Sequence, residues 1–441
     1  MQPLVRACLA GGAKSSGFGS RKKNRISYAP GKKGALRVIG NVTARWRGAG
    51  LLLLVLLLAL FVRLACWQSQ AIVDEGVHVP QIESLMRGSF DTQPVLAMIP
   101  GYHVVMAGLM TLSGLASLGA MRGLSALFGV AAALIFYFIR RKLADEDALM
   151  SAALFYVFPL FYPYYFLVYT DIFSLTVVLL AVLSAMNGRH VLAACIMTLS
   201  LAVRQNNVIW AALLAAYAAW PALVEREGNA AVKLKEAITR ALPYALPAIA
   251  FLAYWRWNGT IVFSAKISSA HPDLSLHAGN VWLTLFLFLM LFPHSAWKGL
   301  QDFAAAVRTR PWLIGFPVAL CVWVRLHGSG DNQAFQDYFI RNAFIAFVAH
   351  GWARVGFSLV VALAACSIVF TRFRDPRGVL VYPFSVVCLA SSVLIENRYS
   401  IIPFALWMAF RRDDSPRWMM AVWLVLSLLI TYGVLTKTFM L

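Results

Sequence analysis

Long apolar runs recur along this chain from Leu51 to the C-terminus, and they constrain its fold more than any other feature. A helix needs about 20 residues to cross a hydrocarbon core of about 30 Å, and several runs approach that length. In lipid, backbone amides must find their hydrogen-bond partners within the protein, which leaves helices or a closed barrel. Because the runs are continuous rather than alternating, they predict an all-α polytopic membrane protein.

These runs predict about 11–14 transmembrane helices in one domain over residues 49–441. Composition agrees, since 60% hydrophobic and 13% charged residues leave too little polar surface for a soluble globule of 441 residues. The predicted spans are 50–67, 101–119, 122–139, 148–167, 172–187, 190–203, 207–223, 241–257, 279–293, 312–326, 355–371, 378–395, 400–410 and 418–435.

The formal net charge of +20 lies in short connecting segments rather than on one face of a soluble domain, so it does not indicate nucleic-acid binding. Basic residues on cytoplasmic loops orient membrane proteins. The first fifty residues contain eleven Lys and Arg and no Asp or Glu, which predicts a disordered cytoplasmic tail over 1–48. An organelle transit peptide, which has a similar composition, is the alternative.

The segments between the spans fall into two chemical sets that alternate from residue 140 onward. The basic set comprises 140–142, 188–190, 226–240, 298–310, 372–377 and 411–417. The polar, mixed-charge set comprises 68–100, 169–171, 204–207, 258–277, 327–338 and 396–399. The basic set can lie inside and the mixed set outside if residues 101–139 cross the membrane an odd number of times. One of the two apolar stretches there is then expected to be re-entrant or interfacial.

The first outer segment, about 68–100, opens with the adjacent carboxylates Asp74 and Glu75. Either can act as a general base that takes the proton of an attacking hydroxyl. Asp74 and His78 are spaced i, i+4, so a helix would place them on one face. The alternative is a solvated loop whose acids simply begin an amphipathic helix.

Cations on the same side can stabilise a phosphate leaving group. The candidates are Arg204, Lys266, Arg341 and Arg398. The commoner role of an arginine at a span end is to extend its charge to the interface. No metal site or disulfide framework is predicted, because the histidines of the outer segments match no local zinc spacing and the six cysteines include no CxxC pair.

The motif Asp74-Glu75-x-x-His78-x-Pro80-Gln81 resembles the signature after the first helix of the dolichyl-phosphate-glucose alpha-1,2-glucosyltransferase family. Further matches follow in the same order over about residues 50–410. They are Pro100-Gly101-Tyr102, Tyr169-Thr170-Asp171, Arg204-Gln205-x-Asn207-x-Ile209-Trp210, Phe292-Pro293-His294, Asp331-Asn332, and Glu396-x-Arg398-Tyr399 with Pro403.

The resemblance implies a GT-C fold, a helix bundle of the endoplasmic reticulum membrane whose luminal loops form the active site. It implies inverting transfer of glucose from dolichyl phosphate to the diglucosylated lipid-linked oligosaccharide, which adds the terminal alpha-1,2-glucose of the N-glycan precursor. Asp74, or else Glu75, is then the base. No cofactor or metal is needed, because fixed cations accept the phosphate charge. The partners are the donor, the acceptor and membrane lipids, with no nucleic acid.

The resemblance also implies a set of substrate-binding residues. They are His78, Gln81, Asp171, Arg204, Gln205, Asn207, Lys266, His277, Asp331, Asn332, Glu396, Arg398 and Tyr399. Asp171 stands where the family more often has Glu, and Ala265 replaces an acid. Gln333 and Ala334 follow Asn332, where the family usually has Arg and His, so the acceptor is less constrained than the donor.

Two alternatives stay open. The short cytoplasmic segment between Leu223 and Pro243 is compatible with a bacterial or divergent relative in a plasma membrane, which would use another polyprenyl-phosphate sugar or acceptor. A secondary transporter is the alternative from a different class. Transporters usually have inverted repeats and broken helices near the midplane, whereas the polar motifs here cluster at span ends on one side.

Overall fold

The computed structural model describes residues 70–225, 228–268, 276–327, 347–348, 351–412 and 415–438. The predicted tail over 1–48 and the first predicted span, 50–67, lie outside the described residues. Asp331 and Asn332 also lie outside them.

Helix coincides with each predicted span from residue 101 onward, and the described residues form no strand, which confirms the all-α prediction. The α-helices are α1 (Glu75–Met86), α2 (Gly101–Ser113), α3 (Leu118–Lys142), α4 (Ala148–Tyr156), α5 (Thr170–Met186), α6 (His190–Leu201), α7 (Val208–Trp220), α8 (Ala230–Ala241), α9 (Ala245–Asn258), α10 (Gly279–Leu291), α11 (Pro293–Thr309), α12 (Gly315–His327), α13 (Gly351–Ile368), α14 (Val381–Ala390), α15 (Ile401–Phe410) and α16 (Trp418–Leu435).

Local sequence signals set several helix ends. α2 ends at Gly114 and α9 at Gly259, both in the left-handed conformation that glycine adopts without strain. The Ser117 side chain caps α3 by accepting a hydrogen bond from the Ala120 backbone N–H at 3.2 Å. Pro293 occupies the first turn of α11, where its missing N–H costs no helical hydrogen bond.

Five helical segments of the described chain are long and apolar enough to cross a membrane, which confirms a polytopic membrane protein. They are Leu118–Lys142, Gln205–Val224, Ala230–Asn258, Gly351–Ile368 and Trp418–Leu435. A sixth arises if α10 and α11, which are bent by 103°, form one span. The predicted number of helices also included shorter apolar segments such as α5 and α6, and it stays a prediction.

The region 101–139 contains one long helix and one short helix. α2 has 13 residues, which is about 20 Å at 1.5 Å per residue and falls short of a hydrocarbon core of about 30 Å. α3 has 25 residues and is long enough to cross. These lengths support the layout in which α2 is the re-entrant or interfacial stretch.

Three connecting segments contain helices that the apolar runs did not predict. α1 lies in the first outer segment, and α8 and α11 lie in basic segments. The predicted span 148–167 is also interrupted, because α4 ends at Tyr156 and a separate 3-10 turn covers Tyr162–Phe166. These helices carry polar or mixed faces, so a search for continuous apolar runs overlooks them.

α3 has a buried arginine near each end. Arg122 pairs with Glu75 at 2.5 Å, and Arg140 pairs with Asp145 at 2.5 Å. The two arginines are about 27 Å apart along the helix axis at 1.5 Å per residue. Arg140 also donates to the backbone carbonyl of Arg411 at 2.6 Å, so basic segments meet at its end of α3. The mixed segments meet at the Arg122 end, where the candidate site lies.

Candidate active site

Asp74 occupies the N-cap position of α1 and is the most exposed acid of the site, with 25% of its side chain accessible. Its Oδ2 accepts a hydrogen bond from Arg398 Nη1 at 2.6 Å. Its backbone N–H donates to the Tyr169 hydroxyl at 3.1 Å. The first outer segment, the start of α5 and the segment before α15 therefore meet at this carboxylate.

Arg398 has a second carboxylate partner, Glu396, which it contacts through Nε. Its guanidinium carbon also lies 5.8 Å from the centre of the Tyr169 ring and 5.7 Å from that of Tyr399. Burial by itself lowers the pKa of Arg398, but the carboxylates of Glu396 and Asp74 raise it well above its usual value. Arg398 is therefore a permanent cation at the centre of the site.

Asp171 and Arg204 form the neighbouring ion pair, in which Arg204 Nη1 donates to Asp171 Oδ1. Asp171 lies in the first turn of α5, where the helix dipole favours a carboxylate. Arg204 precedes the 3-10 turn Gln205–Asn207, and its guanidinium carbon lies 5.8 Å from the Tyr399 ring centre. Tyr399 thus contacts both arginines, and it links the two ion pairs.

We call Asp74, Asp171, Arg204, Glu396 and Arg398 the ion cluster. A small cavity, partly open to solvent, lies against three members of this cluster, Asp171, Arg204 and Arg398. The cavity is lined by Asp171, Arg204, Asn206, Trp210, Cys388, Arg398, Tyr399, Ile401 and Ile402. The sequence prediction had included the five ion-cluster residues and Tyr399, and the structure brings all of them together.

Glu75 has a different environment from its neighbour Asp74, since it is 0% exposed. Its carboxylate accepts hydrogen bonds from Arg122 Nε at 3.0 Å and Arg122 Nη2 at 2.5 Å. It also accepts from the backbone N–H groups of Ile72 and Val168, both at 2.9 Å. These bonds tie α1 to α3 and to the segment before α5, and they enclose Glu75.

His78 is buried one turn after Asp74, and its Nδ1 lies 2.9 Å from His103 Nε2 on α2. Its ring makes edge contacts with the rings of Tyr102 and Tyr169. Burial lowers the pKa of His78 to about 4, against the smaller, opposite effect of the Asp74 carboxylate. His78 is therefore neutral at pH 7, and it packs behind the ion cluster.

Two amides of the motifs hold backbone segments in place. Gln81 binds the first outer segment, donating to the Asp91 carbonyl at 3.1 Å and accepting from the Gln93 N–H at 2.7 Å. Gln205 donates to the Ala97 carbonyl at 3.2 Å. Each therefore fixes a segment close to the ion cluster.

Asn207 joins three helices. Its Nδ2 donates to the Ser174 hydroxyl on α5 at 3.0 Å and to the Ser200 carbonyl on α6 at 3.1 Å. Asn207 itself precedes α7 and is completely buried. This amide therefore positions the turn that follows Arg204.

Lys266 and His277 lie on the long connection before α10. Lys266 is exposed, and the adjacent segment is anchored to the first outer segment by the bond from Phe263 N–H to the Ala97 carbonyl at 2.9 Å. The backbone N–H of His277 donates to the Ala390 carbonyl at 2.8 Å. In the described part of the chain, neither side chain contacts the ion cluster.

Arg122, His103 and Trp210 support or line the site without having been predicted as site residues. Arg122 carried the clearest signal, because an arginine inside an apolar run is costly and requires a partner. Trp210 appeared only as part of a motif. His103 follows the Pro100-Gly101-Tyr102 match, and nothing in its spacing indicates its contact with His78. No three His, Cys, Asp or Glu side chains of the described residues form a group that could hold a metal ion.

Comparison with known proteins agrees with the resemblance found in the motifs. The sequence profile of the DIE2/ALG10 family matches residues 68–229 and 218–409. A Drosophila melanogaster relative is 25% identical over 84% of this chain and 91% of its own, and a Mus musculus relative is 24% identical over 76% and 82%. An Arabidopsis thaliana relative is 31% identical over 31% of each chain.

All three relatives have the name Dol-P-Glc:Glc(2)Man(9)GlcNAc(2)-PP-Dol alpha-1,2-glucosyltransferase. No solved structure matches the chain significantly. The profile match begins just before Asp74 and extends past Arg398, so it includes every segment that contributes to the ion cluster. The chain belongs to the DIE2/ALG10 family.

Proposed function

We propose that this protein transfers glucose from dolichyl-phosphate-glucose to the diglucosylated lipid-linked oligosaccharide, forming the terminal alpha-1,2 linkage. The family match and the shared name of the relatives support this reaction. One structural observation carries it, namely the contact of Asp74 with Arg398 beside Arg204 and the cavity. This contact places a candidate base next to cations that can receive a phosphate. The site faces the lumen of the endoplasmic reticulum in this proposal.

The reaction is one displacement at the anomeric carbon of the donor glucose. A hydroxyl oxygen of the acceptor forms the new bond to this carbon while the bond to the phosphate oxygen breaks. The electron pair leaves with dolichyl phosphate, and the hydroxyl proton passes to the base. A beta-linked donor then gives an alpha-linked product.

Asp74 is the base in this proposal. It is partly exposed and contacts Arg398, which lines the cavity, whereas Glu75 is enclosed by Arg122 and two backbone N–H groups. A positioned general base contributes about 10²–10⁴-fold in rate. Glu75 and Arg122 instead fix the start of α1. They therefore fix the position of the N-cap residue Asp74, which contacts Arg398.

Arg204 and Arg398 stabilise the charge that develops on the leaving phosphate. In the free protein their charges are met by three carboxylates, which leaves the ion cluster with one net negative charge. A phosphate diester adds a further negative charge, so its binding must redistribute these pairs. We expect the phosphate to replace part of the Asp74 contact on Arg398. This exchange weakens the contact of Asp74 with Arg398 when the donor is bound.

The test is transfer of labelled glucose from dolichyl-phosphate-glucose to the diglucosylated lipid-linked oligosaccharide by purified protein in detergent. Asp74→Asn should lose about 10²–10⁴-fold in turnover, because the amide keeps the shape but cannot take the proton. Asp91→Asn is the matched control, since Asp91 is an exposed acid of the same outer segment. This control should retain the parent rate.

Two results would reject the proposal in different parts. If Asp74→Asn turns over like Asp91→Asn, the base assignment is wrong although the reaction stands. If the unsubstituted protein transfers no glucose, the reaction itself is wrong. Because detergent removes membrane compartments, consumption of the donor also excludes a secondary transporter. Cells that lack the gene should accumulate the diglucosylated precursor, and an unchanged profile would contradict the assigned acceptor.

A further inference from the structure

Three residues that line the cavity each have a buried polar atom without a hydrogen-bond partner among the described residues. One of these atoms, Arg398 Nε, is nevertheless in ion-pair contact with Glu396, which leaves two. One is Asp171 Oδ2, on a residue that is 2% exposed, and the other is the indole N–H of Trp210, which is 1% exposed. Both residues line the cavity next to Arg204 and Arg398. The other oxygen of Asp171, Oδ1, accepts a hydrogen bond from Arg204. This bond fixes the carboxylate in an orientation in which Oδ2 has no hydrogen-bond donor among the described residues.

Such atoms are costly in a folded protein. A buried donor or acceptor that loses its partner costs about 1–3 kcal/mol, so native structures pair most of them. A carboxylate can only accept a hydrogen bond at pH 7, and an indole N–H can only donate one. A sugar hydroxyl group does both, so adjacent hydroxyls of one ring suit both atoms.

The elements around the cavity hold these two side chains in place. Asp171 lies in the first turn of α5, and Trp210 lies in the first turn of α7. The buried amide of Asn207 connects α5 to the turn before α7 through its bond to Ser174. The wall that carries the two atoms is therefore organised before any substrate binds.

An unpartnered indole alone does not define a site, as Trp282 demonstrates. Its N–H is also buried without a partner among the described residues. Trp282, however, packs in an apolar cluster with Phe357 and Val361 and does not line the cavity. Trp210 differs because its surroundings include a carboxylate and two guanidinium groups.

We infer that Asp171 Oδ2 and the Trp210 indole N–H bind hydroxyl groups of the glucose ring of the donor, and that Trp210 helps to select this hexose. The inference rests on the proposed function and extends it to a sugar subsite. The donor is favoured over the acceptor because the donor glucose is attached directly to a phosphate, whereas the rest of the oligosaccharide separates the reacting glucose of the acceptor from its diphosphate. Arg204 and Arg398 line the same cavity and suit that phosphate.

The experiment compares Trp210→Phe with Trp282→Phe in the purified full-length protein. Each variant receives dolichyl-phosphate-glucose and four donor analogues, which lack the hydroxyl at position 2, 3, 4 or 6 of glucose. The unsubstituted protein should use one or two analogues at least about tenfold less efficiently in kcat/KM than glucose, the equivalent of one lost hydrogen bond. Trp210→Phe should be about tenfold slower with glucose and should lose this discrimination for one analogue. Trp282→Phe should keep the parent discrimination.

The inference fails if Trp210→Phe retains the parent ratios for all four analogues. It also fails if the unsubstituted protein uses all four as well as glucose, a measurement that does not depend on the folding of any variant. If the discrimination changes only for acceptors that lack a hydroxyl on their terminal glucose, the donor assignment is overturned. In each of these cases the parent protein still transfers glucose, so the proposed function stands. Absence of transfer by the parent protein would reject both.

Discussion

The buried ion pair of Glu75 and Arg122 should determine stability rather than chemistry. Both side chains are 0% exposed, and Glu75 accepts from two nitrogens of Arg122 and from two backbone N–H groups. Glu75→Gln removes the negative charge and replaces one acceptor oxygen with a donor. Arg122 then stays buried and loses the charge of Glu75 beside it. Breaking a buried pair in this way costs about 3–5 kcal/mol.

The assay is unfolding of the purified protein in detergent, measured together with glucosyl transfer per folded molecule. Glu83→Gln is the matched control, because Glu83 lies on the same helix and is only half-buried. This control should stay within about 0.5 kcal/mol of the parent stability. Asp74→Asn, one residue away from Glu75, should fold like the parent protein and lack activity.

A double variant separates the two roles further. Glu75→Leu with Arg122→Met removes both charges, and it should recover most of the stability lost in Glu75→Gln. A Glu75→Gln variant that is as stable as the parent protein but inactive would contradict this division of roles. Glu75 would then be the base, and Asp74 would be a partner of Arg398 only.

The remaining predictions concern pH and the basic end of the bundle. Burial lowers the pKa of His78 to about 4, whereas the pKa of a histidine in the unfolded chain is about 6.5. Below pH 6.5, the unfolded chain therefore binds a proton at His78 that the folded chain does not bind. Stability should therefore fall as the pH is lowered, by about 2 kcal/mol between pH 6.5 and 5, and unfolding curves of His78→Asn should be flatter over this range. Arg140→Met should cost about 3–5 kcal/mol in unfolding free energy, because Asp145 is left buried with a weaker counter-charge. Arg374→Met, which removes the more exposed partner of Asp145, should cost at most about 1 kcal/mol.

The helices that cross or enter the membrane could be predicted because each of them appears in the sequence as a continuous run of apolar residues. A helix surrounded by lipid and other helices is apolar on all sides, so a continuous run marks it. α1, α8 and α11 were missed because each contains charged residues that interrupt an apolar run. α10 and α11 are bent by 103° at Phe292 and Pro293. A proline in the sequence predicts that a helix is interrupted, but it does not predict the angle of the bend.

The members of the ion cluster could be predicted from charge at span ends, but their pairing could not. Asp74 and Glu75 look equivalent in the sequence, since they are adjacent and carry the same charge. Successive residues of a helix point about 100° apart, so one carboxylate faces Arg398 while the other faces Arg122. Which carboxylate takes which direction depends on the rotation of α1 against α3, and this rotation is set by packing.

The structure also divides the motif residues by function. Gln81, Gln205 and Asn207 bind backbone groups or serine hydroxyls, and each fixes a segment from which a charged residue projects. A motif match alone cannot separate such supports from residues that contact substrate, because both depend on the same fold. Hydrogen-bond partners can separate them, since a support is already paired in the free protein. By this criterion, and apart from Arg398, whose Nε pairs with Glu396, Asp171 and Trp210 are the cavity residues that have an unmatched buried polar atom in the described chain.

In the proposed reaction, the shared position of Arg398 would link donor binding to the activation of Asp74 as the base. In the free protein, Arg398 binds both Asp74 and Glu396, and a carboxylate held by a guanidinium is a weaker base than a free one. In that reaction, the arrangement seen here would be the resting one, and the reactive one would require Asp74 to lose part of this contact. A donor phosphate that binds Arg398 supplies this change when the sugar arrives, and in its absence Asp74 stays paired. The same contact that identifies the site can therefore suppress the base until the donor is bound.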